Sequence, residues 1–233
     1  VNIEKNGDLF SVAVKSGKTY EAISVIITSG AESKLLHVPG EEEFSGKGVS
    51  YCSLCDGPIF KNKVVAVVGG GNNGFESAVF LSNYVKKIYI LEYGQKSNAD
   101  AENQDLVLKI KNIEIIFNAK VSKVEGGKFV ESITYEDLKT NGEKKLEVNG
   151  VFVEVGYVPS TIFAKDLVDL NEKGEIQFDP KTLVTKTPGI FSAGDCNVSK
   201  YKQIVMASGQ GATAALSAYE YIKKANHARD HYE

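Results

Sequence analysis

Val64-Val65-Ala66-Val67-Val68 is an unbroken apolar run. A run with no polar face is what a parallel strand buried on both sides requires. It meets Gly69-Gly70-Gly71-Asn72-Asn73-Gly74. Beyond these, Phe75, Ala78, Val79, Ser82 and Val85 recur at helical spacing and predict an amphipathic helix over 75–87. A second strand is expected over 88–91, closed by Glu92, which completes a βαβ unit. Upstream lie short β-rich runs at 10–14 and 24–28, the latter ending in Thr28-Ser29-Gly30-Ala31, and then a polar loop over 39–48. Downstream, residues 113–155 read as β-rich, with Asn141-Gly142 as a hairpin signal between two strand-like runs. A last strand over 189–193 leads into Gly194-Asp195, and small and apolar residues over 203–224 predict a helix. No internal repeat or low-complexity segment interrupts this α/β organisation.

Composition changes the picture little. The chain has 233 residues, 42% hydrophobic and 24% charged, which suits a globular protein of one or two domains. A formal net charge of −3 without basic blocks argues against a nucleic-acid or anionic-membrane partner. No apolar run approaches the roughly 20 residues of a membrane helix, and Val1-Asn2-Ile3-Glu4-Lys5 is no signal peptide. A cytoplasmic setting is therefore expected. The only methionine is Met206, so the chain is expected to be a processed, trimmed or partial piece of something longer.

Three cysteines, Cys52, Cys55 and Cys196, are too few for a secreted disulfide framework. Cys52-Ser53-Leu54-Cys55 has the spacing of a redox pair, half a metal site, or two core thiols. Zinc would want two more ligands at similar spacing, which His37, His227 and His231 do not supply. Asp56-Gly57-Pro58 reads as a turn rather than a core strand, which disfavours the core reading. In the redox reading the thiolate attacks, and Asp56 shuttles a proton as general acid and base. Cys196 has no visible partner and reads as structural.

Gly69-x-Gly71-x-x-Gly74 fits the dinucleotide-binding fingerprint. The first glycine permits the turn, the second admits the pyrophosphate to the backbone, and the third lets helix and strand pack. Amides of the helix start, at Asn72 and Asn73, face the phosphates. A structural glycine loop is the bland alternative, but the strand before, the helix after and Glu92 at the end of the next strand supply the context the motif needs. A carboxylate there accepts from adenosine ribose hydroxyls and repels a 2′-phosphate. The following Tyr93-Gly94-Gln95-Lys96-Ser97-Asn98 has no arginine, so NADH is favoured over NADPH. A surface glutamate is the bland alternative. Gly194-Asp195, at a strand end before a helix, resembles a second nucleotide-facing site, and Gly156 joins the candidate cofactor-binding glycines.

Taken together, Thr28-Ser29-Gly30-Ala31, Cys52-Ser53-Leu54-Cys55-Asp56-Gly57-Pro58, the Gly69–Gly74 fingerprint, Gly194-Asp195-Cys196 and Tyr201-Lys202-Gln203-Ile204 resemble the low-molecular-weight thioredoxin reductase family in order and spacing. Leu91-Glu92-Tyr93 and Tyr201-Lys202-Gln203-Ile204 look most like the flavoprotein subunit of alkyl hydroperoxide reductase. The resemblance implies an FAD/NAD(P)-binding, Rossmann-like two-domain fold with the nucleotide domain inserted into the FAD domain. It divides the chain into residues 1–36 (a remnant of the first FAD segment), 37–157 (the NAD(P)-binding domain with the dithiol) and 158–233 (the second FAD segment). Carried over, Cys55 is the flavin-facing thiol, Cys52 the thiol that attacks the partner's disulfide, and Asp56 the acid. Asp195, Gln203 and Ile204 contact FAD. Electrons run from NAD(P)H through FAD and the Cys52/Cys55 pair to a thioredoxin-like or peroxiredoxin-linked protein, and homodimers are usual.

The departures matter equally. The family carries a second glycine fingerprint for the FAD diphosphate near its N-terminus. This chain has one, so an incomplete FAD domain is expected. The arginine pair of many NADPH-using members is replaced by Glu92-Tyr93-Gly94. Two other readings stay open: a flavin-free nucleotide-binding or interaction fragment, and a reductase with a non-nicotinamide electron donor.

Overall fold

The computed structural model describes residues 2–230 and divides into two compact units. One comprises the segments Val1–Glu32 and Tyr157–Glu233, the other the uninterrupted segment Ser33–Gly156.

The first segment holds the antiparallel meander β1 (Asn2–Asn6), β2 (Leu9–Ala13) and β3 (Thr19–Ala22), then β4 (Val25–Ile27) and β5 (Ala31–Ser33). The continuous unit contains β6 (Val49–Ser50), the one-turn helix α1 (Ser53–Asp56), β7 (Val64–Val68), α2 (Asn72–Leu81), β8 (Lys87–Glu92), α3 (Ala101–Lys109) and β9 (Ile113–Phe117). There follow β10 (Ala119–Gly126), β11 (Val130–Asp137), β12 (Gly142–Glu147) and β13 (Gly150–Val153). Finally β14 (Tyr157–Pro159), β15 (Ile190–Ser192) and the long helix α4 (Ile204–Asp230) complete the other unit.

The centre of the continuous unit is a five-stranded parallel sheet in the order β6-β13-β7-β8-β9. Its two faces explain the unbroken apolar run. Val65 and Val67 point into a cluster with Phe75, Ala78 and Leu81 of α2 and Val107 of α3. Ala66 and Val68 point the other way, to Val124, Val130, Ile133 and Tyr135 of the antiparallel sheet β10-β11-β12. Both faces of β7 are therefore covered, and each fully buried valine contributes about 1.5–3 kcal/mol. The other unit repeats this device on a smaller scale. Within β15, which pairs in parallel with β4, Ile190 joins a cluster with Phe10 and Ile176, while Phe191 joins Ala214 and Ala218 of α4.

Two expectations need adjusting. Helix α2 begins at Asn72 rather than Phe75 and ends at Leu81, because Lys87 already belongs to β8, where its ammonium lies 2.8 Å from Glu114 of β9. The β11–β12 hairpin turns through the four residues 138–141 rather than a tight two-residue turn, with Asn141 at φ 54°. Cys196 is fully buried. Among the described residues no helix is long and apolar enough to cross a membrane. The described residues hold no group of three or more His, Cys, Asp or Glu suited to a metal, and His231 lies outside them.

Candidate active site

Within the continuous unit, Cys52 and Cys55 are joined as a disulfide with their Cα atoms 5.3 Å apart. Extended Cys52 caps α1, and the Cys55 amide donates to Cys52 Sγ at 3.2 Å. The spacing follows from one helical turn, which brings residues three apart to the same edge. Asp56 ends the turn. Ser50 Oγ donates to its carboxylate at 2.6 Å and accepts from the Cys52 amide at 3.1 Å. Buried Ser50 thus ties the Asp56 carboxylate to the backbone of the first cysteine. The sequence reading missed it, since a lone serine at a strand end carries no signal.

The glycine fingerprint is explained by close approach. A Cβ on Gly74 would lie 1.8 Å from the Gly69 carbonyl oxygen, and one on Gly69, at φ 115°, would lie 2.6 Å from the Glu154 carbonyl oxygen. Gly71 differs, since nothing stands within 4 Å of its added Cβ. Gly71 also caps α2 without any side-chain hydrogen bond to the first turn. A ten-residue helix with no side-chain cap on its first turn, entered through a glycine with open space where a side chain would stand, is suited to a pyrophosphate, so the residues present fit a dinucleotide.

Glu92 does more than close β8. Its Oε2 accepts from the Gly70 amide at 2.6 Å and its Oε1 from the Gly94 amide at 2.7 Å. The carboxylate is thereby fixed beside the glycine loop with one lone pair left on each oxygen. The loop after β8 is tied to the same place. Ser97 Oγ donates to the Gly70 carbonyl at 2.5 Å, and Asn72 exchanges hydrogen bonds with Asp100, its Nδ2 donating at 2.9 Å and its Oδ1 accepting from the Asp100 amide at 2.7 Å. Ser97 and Asp100 were not singled out from the sequence, although their polar Ser-Asn-Ala-Asp run before a helix was a usable sign.

Gly194, Asp195, Gln203 and Ile204 all lie in the other unit, and Gly156 ends the continuous one. Gly194, at φ 85°, donates its amide to Gln210 Oε1 at 2.8 Å, while Gln210 Nε2 donates to Ser199 Oγ at 2.5 Å. Gln210 is a further organising residue missed in sequence. Asp195 is half-buried and its carboxylate accepts no hydrogen bond among the described residues, an arrangement that fits a group presenting hydroxyls, as FAD does. Gln203 precedes α4 and accepts at its carbonyl from Ala207, whereas Ile204 is 86% exposed.

Beside them, Lys202 pairs with Glu175 at 2.8 Å, donates to the Asn197 carbonyl, and lies 5.3 Å from the centre of the Tyr157 ring. Tyr157 donates to Glu175 at 2.7 Å, and burial followed by that carboxylate pushes the phenol well above its ordinary range. For Glu175, burial acts to raise the carboxyl, but hydrogen bonds from Lys202, Tyr157 and Asn171 outweigh it and hold the group below the usual carboxylate range.

Residues 1–211 match the family described as pyridine nucleotide-disulphide oxidoreductase. The chain belongs to that family. The chain is 43% identical to an alkyl hydroperoxide reductase subunit of Staphylococcus aureus (strain MRSA252) over 95% of its own length and 43% of the relative's. It is 42% identical to a protein named NADH dehydrogenase from Bacillus subtilis (strain 168), covering 92% of the chain and 42% of that protein. Among solved structures it is similar to thioredoxin reductase from Streptococcus pyogenes MGAS5005, with a TM-score of 0.90 and 34% identity over 96% of this chain and 72% of that one. The chain thus has a thioredoxin-reductase-like, Rossmann-type α/β fold, and spans less than half the length of the curated relatives it matches.

Proposed function

We propose that the chain carries the nucleotide and dithiol machinery of an NADH-dependent disulfide reductase that passes electrons through FAD and the Cys52/Cys55 pair to a thioredoxin-like or peroxiredoxin-linked protein. The observation that carries this reading is the disulfide Cys52–Cys55 in the same compact unit as an open-ended dinucleotide fingerprint. The unit Ser33–Gly156 is read as the nicotinamide-nucleotide domain, and the other as the part of the FAD domain this chain contains. A homodimer accompanies the reading, as the family resemblance implies.

When bound, NADH and FAD supply the hydride and electron-pair chemistry. Gly71 keeps the backbone clear for the pyrophosphate, Gly69 and Gly74 allow the close packing that places the helix start, and the amides of Asn72 and Asn73 face the pyrophosphate. The fixed Glu92 carboxylate accepts from ribose hydroxyls and opposes a 2′-phosphate, which favours NADH. The name NADH dehydrogenase on the Bacillus subtilis relative agrees with that preference. Asp195, Gln203 and Ile204 are read as FAD contacts, with Gly156 and Gly194 giving the chain its turns there.

Once reduced, the Cys52 thiolate attacks one sulfur of the partner's disulfide and the other partner sulfur leaves as thiol, taking a proton. Cys55 then attacks Cys52 in the mixed disulfide, restoring Cys52–Cys55 and releasing the second partner thiol. Asp56, oriented by Ser50, holds and returns the proton that these steps exchange. The test is substitution: Cys52→Ser and Cys55→Ser variants should each lose NADH-driven reduction of a thioredoxin disulfide, and retention of the normal rate by both would refute the assignment. A visible spectrum with anaerobic NADH addition separates the alternatives, since a flavin band that bleaches supports the reductase and its absence supports a flavin-free nucleotide-binding fragment.

A further inference from the structure

One half-buried titratable group in the continuous unit has no part in the chemistry above. Glu154 directly follows β13, and its Oε1 accepts a hydrogen bond from Ser77 Oγ at 2.6 Å. Ser77 lies on α2, the helix opened by the glycine fingerprint, and is buried. Its Oγ also lies 2.8 Å from Ser53 Oγ. With the carboxyl ionised, Ser77 donates its single hydroxyl proton to it, so Ser53 is then the donor in that second bond. Ser53 follows Cys52 and is the first residue of α1. A line of hydrogen bonds therefore runs from the disulfide turn, through the nucleotide helix, to one carboxyl. The backbone of Glu154 sits against the same machinery, its carbonyl being the atom that Gly69 must avoid.

Burial raises the Glu154 carboxyl above the usual carboxylate range, and hydrogen bonds from Ser77 and Ser53 offset only part of this. No cationic partner contributes. The neighbouring carboxylates are engaged elsewhere: Asp56 of α1 with Ser50, Glu76 of α2 with Asn103 at 3.5 Å, and Glu92 with the Gly70 and Gly94 amides. A half-buried carboxyl without a counter-charge is a costly way to satisfy one hydroxyl, which a glutamine would do as well.

We propose that Glu154 is a positioning residue for the Cys52–Cys55 pair, its carboxyl setting the balance between disulfide and dithiol through Ser77 and Ser53. This rests on the reading of the pair as redox-active. Reduction by a dithiol reagent transfers two electrons and two protons: the Cys52–Cys55 bond breaks, two thiols form, and the reagent closes its own disulfide. At higher pH one of the new thiols releases its proton. An ionised Glu154 places negative charge beside the turn where that thiolate develops, so it favours the disulfide, whereas a protonated Glu154 does not.

The test equilibrates the full chain with dithiothreitol redox buffers from mildly acidic to mildly alkaline pH, traps thiols by alkylation and reads the dithiol fraction by mass. Neither nucleotide nor protein partner is needed. Glu154→Gln should shift the exchange equilibrium toward the dithiol by on the order of tenfold on the alkaline side, which is about 30 mV for a two-electron couple. The two curves should draw together toward the acidic side, as the wild-type carboxyl takes up its proton. Ser77→Ala keeps the carboxyl but removes a bond to its ionised form, so it should move the convergence to higher pH. Should Glu154→Gln fail to fold, Ser77→Ala carries the same decision alone. Curves that superimpose on the wild type at every pH, with normal exchange, overturn this proposal and leave the reductase reading intact. A wild-type pair that does not exchange with dithiothreitol at all overturns both.

Discussion

Substituting alanine at Gly74 and at Gly71 should separate two jobs that the fingerprint performs. At Gly74 the new methyl would sit 1.8 Å from the Gly69 carbonyl oxygen, a backbone atom that no rotamer change can move. Ordinary carbon–oxygen contact requires well over 3 Å, so α2 must shift away from β7 by roughly 1.5 Å. Overpacking of this kind costs up to ~3 kcal/mol. Alanine returns about 1 kcal/mol through its better helix propensity, leaving a net loss of about 2 kcal/mol. With a urea m-value of about 2 kcal/mol/M, the midpoint of the unit containing β7 and α2 should fall by about 1 M. Because the shift also displaces the helix start, NADH binding followed by nicotinamide fluorescence should weaken at least tenfold. Gly71→Ala meets nothing within 4 Å and has an unstrained φ of −85°, so its urea midpoint should stay close to wild type while NADH binding still falls. A Gly74→Ala protein as stable as wild type, with unchanged NADH affinity, would refute the close-packing argument.

Other expectations follow from the same geometry. Lys202→Met leaves Glu175 buried without its cation, at a cost of about 3–5 kcal/mol. Because the Glu175 carboxyl is held below its unfolded value, its contribution is present above the ordinary carboxylate range and is lost as pH falls through the folded value. Thermal melts on descending pH should therefore show the deficit of Lys202→Met narrowing as the wild type loses this contribution, and a deficit that stays constant through the carboxylate range would sink the account. Glu92→Ala should loosen the glycine loop by leaving the Gly70 and Gly94 amides unpaired, at about 1–3 kcal/mol in chemical denaturation. The same variant should narrow the preference for NADH over NADPH, and an unchanged ratio of the two affinities would place selectivity elsewhere.

Much of this was readable from residue order. The β7 run announced a strand covered on both faces, and the structure supplies the covers, helices on one side and the β10–β12 sheet on the other. The glycines announced the turn. The start of α2 was not readable, because Asn72 and Asn73 are weak helix formers and the apolar spacing begins only at Phe75; they are helical because Gly71 caps there and Asn72 is held by Asp100. The Ser53–Ser77–Glu154 line was invisible for another reason. Its members are far apart in sequence, and single serines and glutamates are ordinary surface residues until the fold brings them together. Ser50, Ser97 and Gln210 were missed on the same grounds, since each acts by bonding a backbone or side chain that is distant or unremarkable in sequence.

The division into one continuous and one split unit has a consequence for how the chain is made. Ser24 beside β4 bonds the Gly189 carbonyl beside β15 across 165 residues. At ribosomal speeds of about 5–20 residues per second, the early strand emerges on the order of ten to thirty seconds before its mate. The Ser33–Gly156 segment is complete in the interval, so the dithiol turn and the glycine loop can assemble while the first meander still waits for its second half. The order of synthesis therefore makes the inserted unit the first to fold, and the split one dependent on a nascent strand remaining unpaired until β15 has emerged.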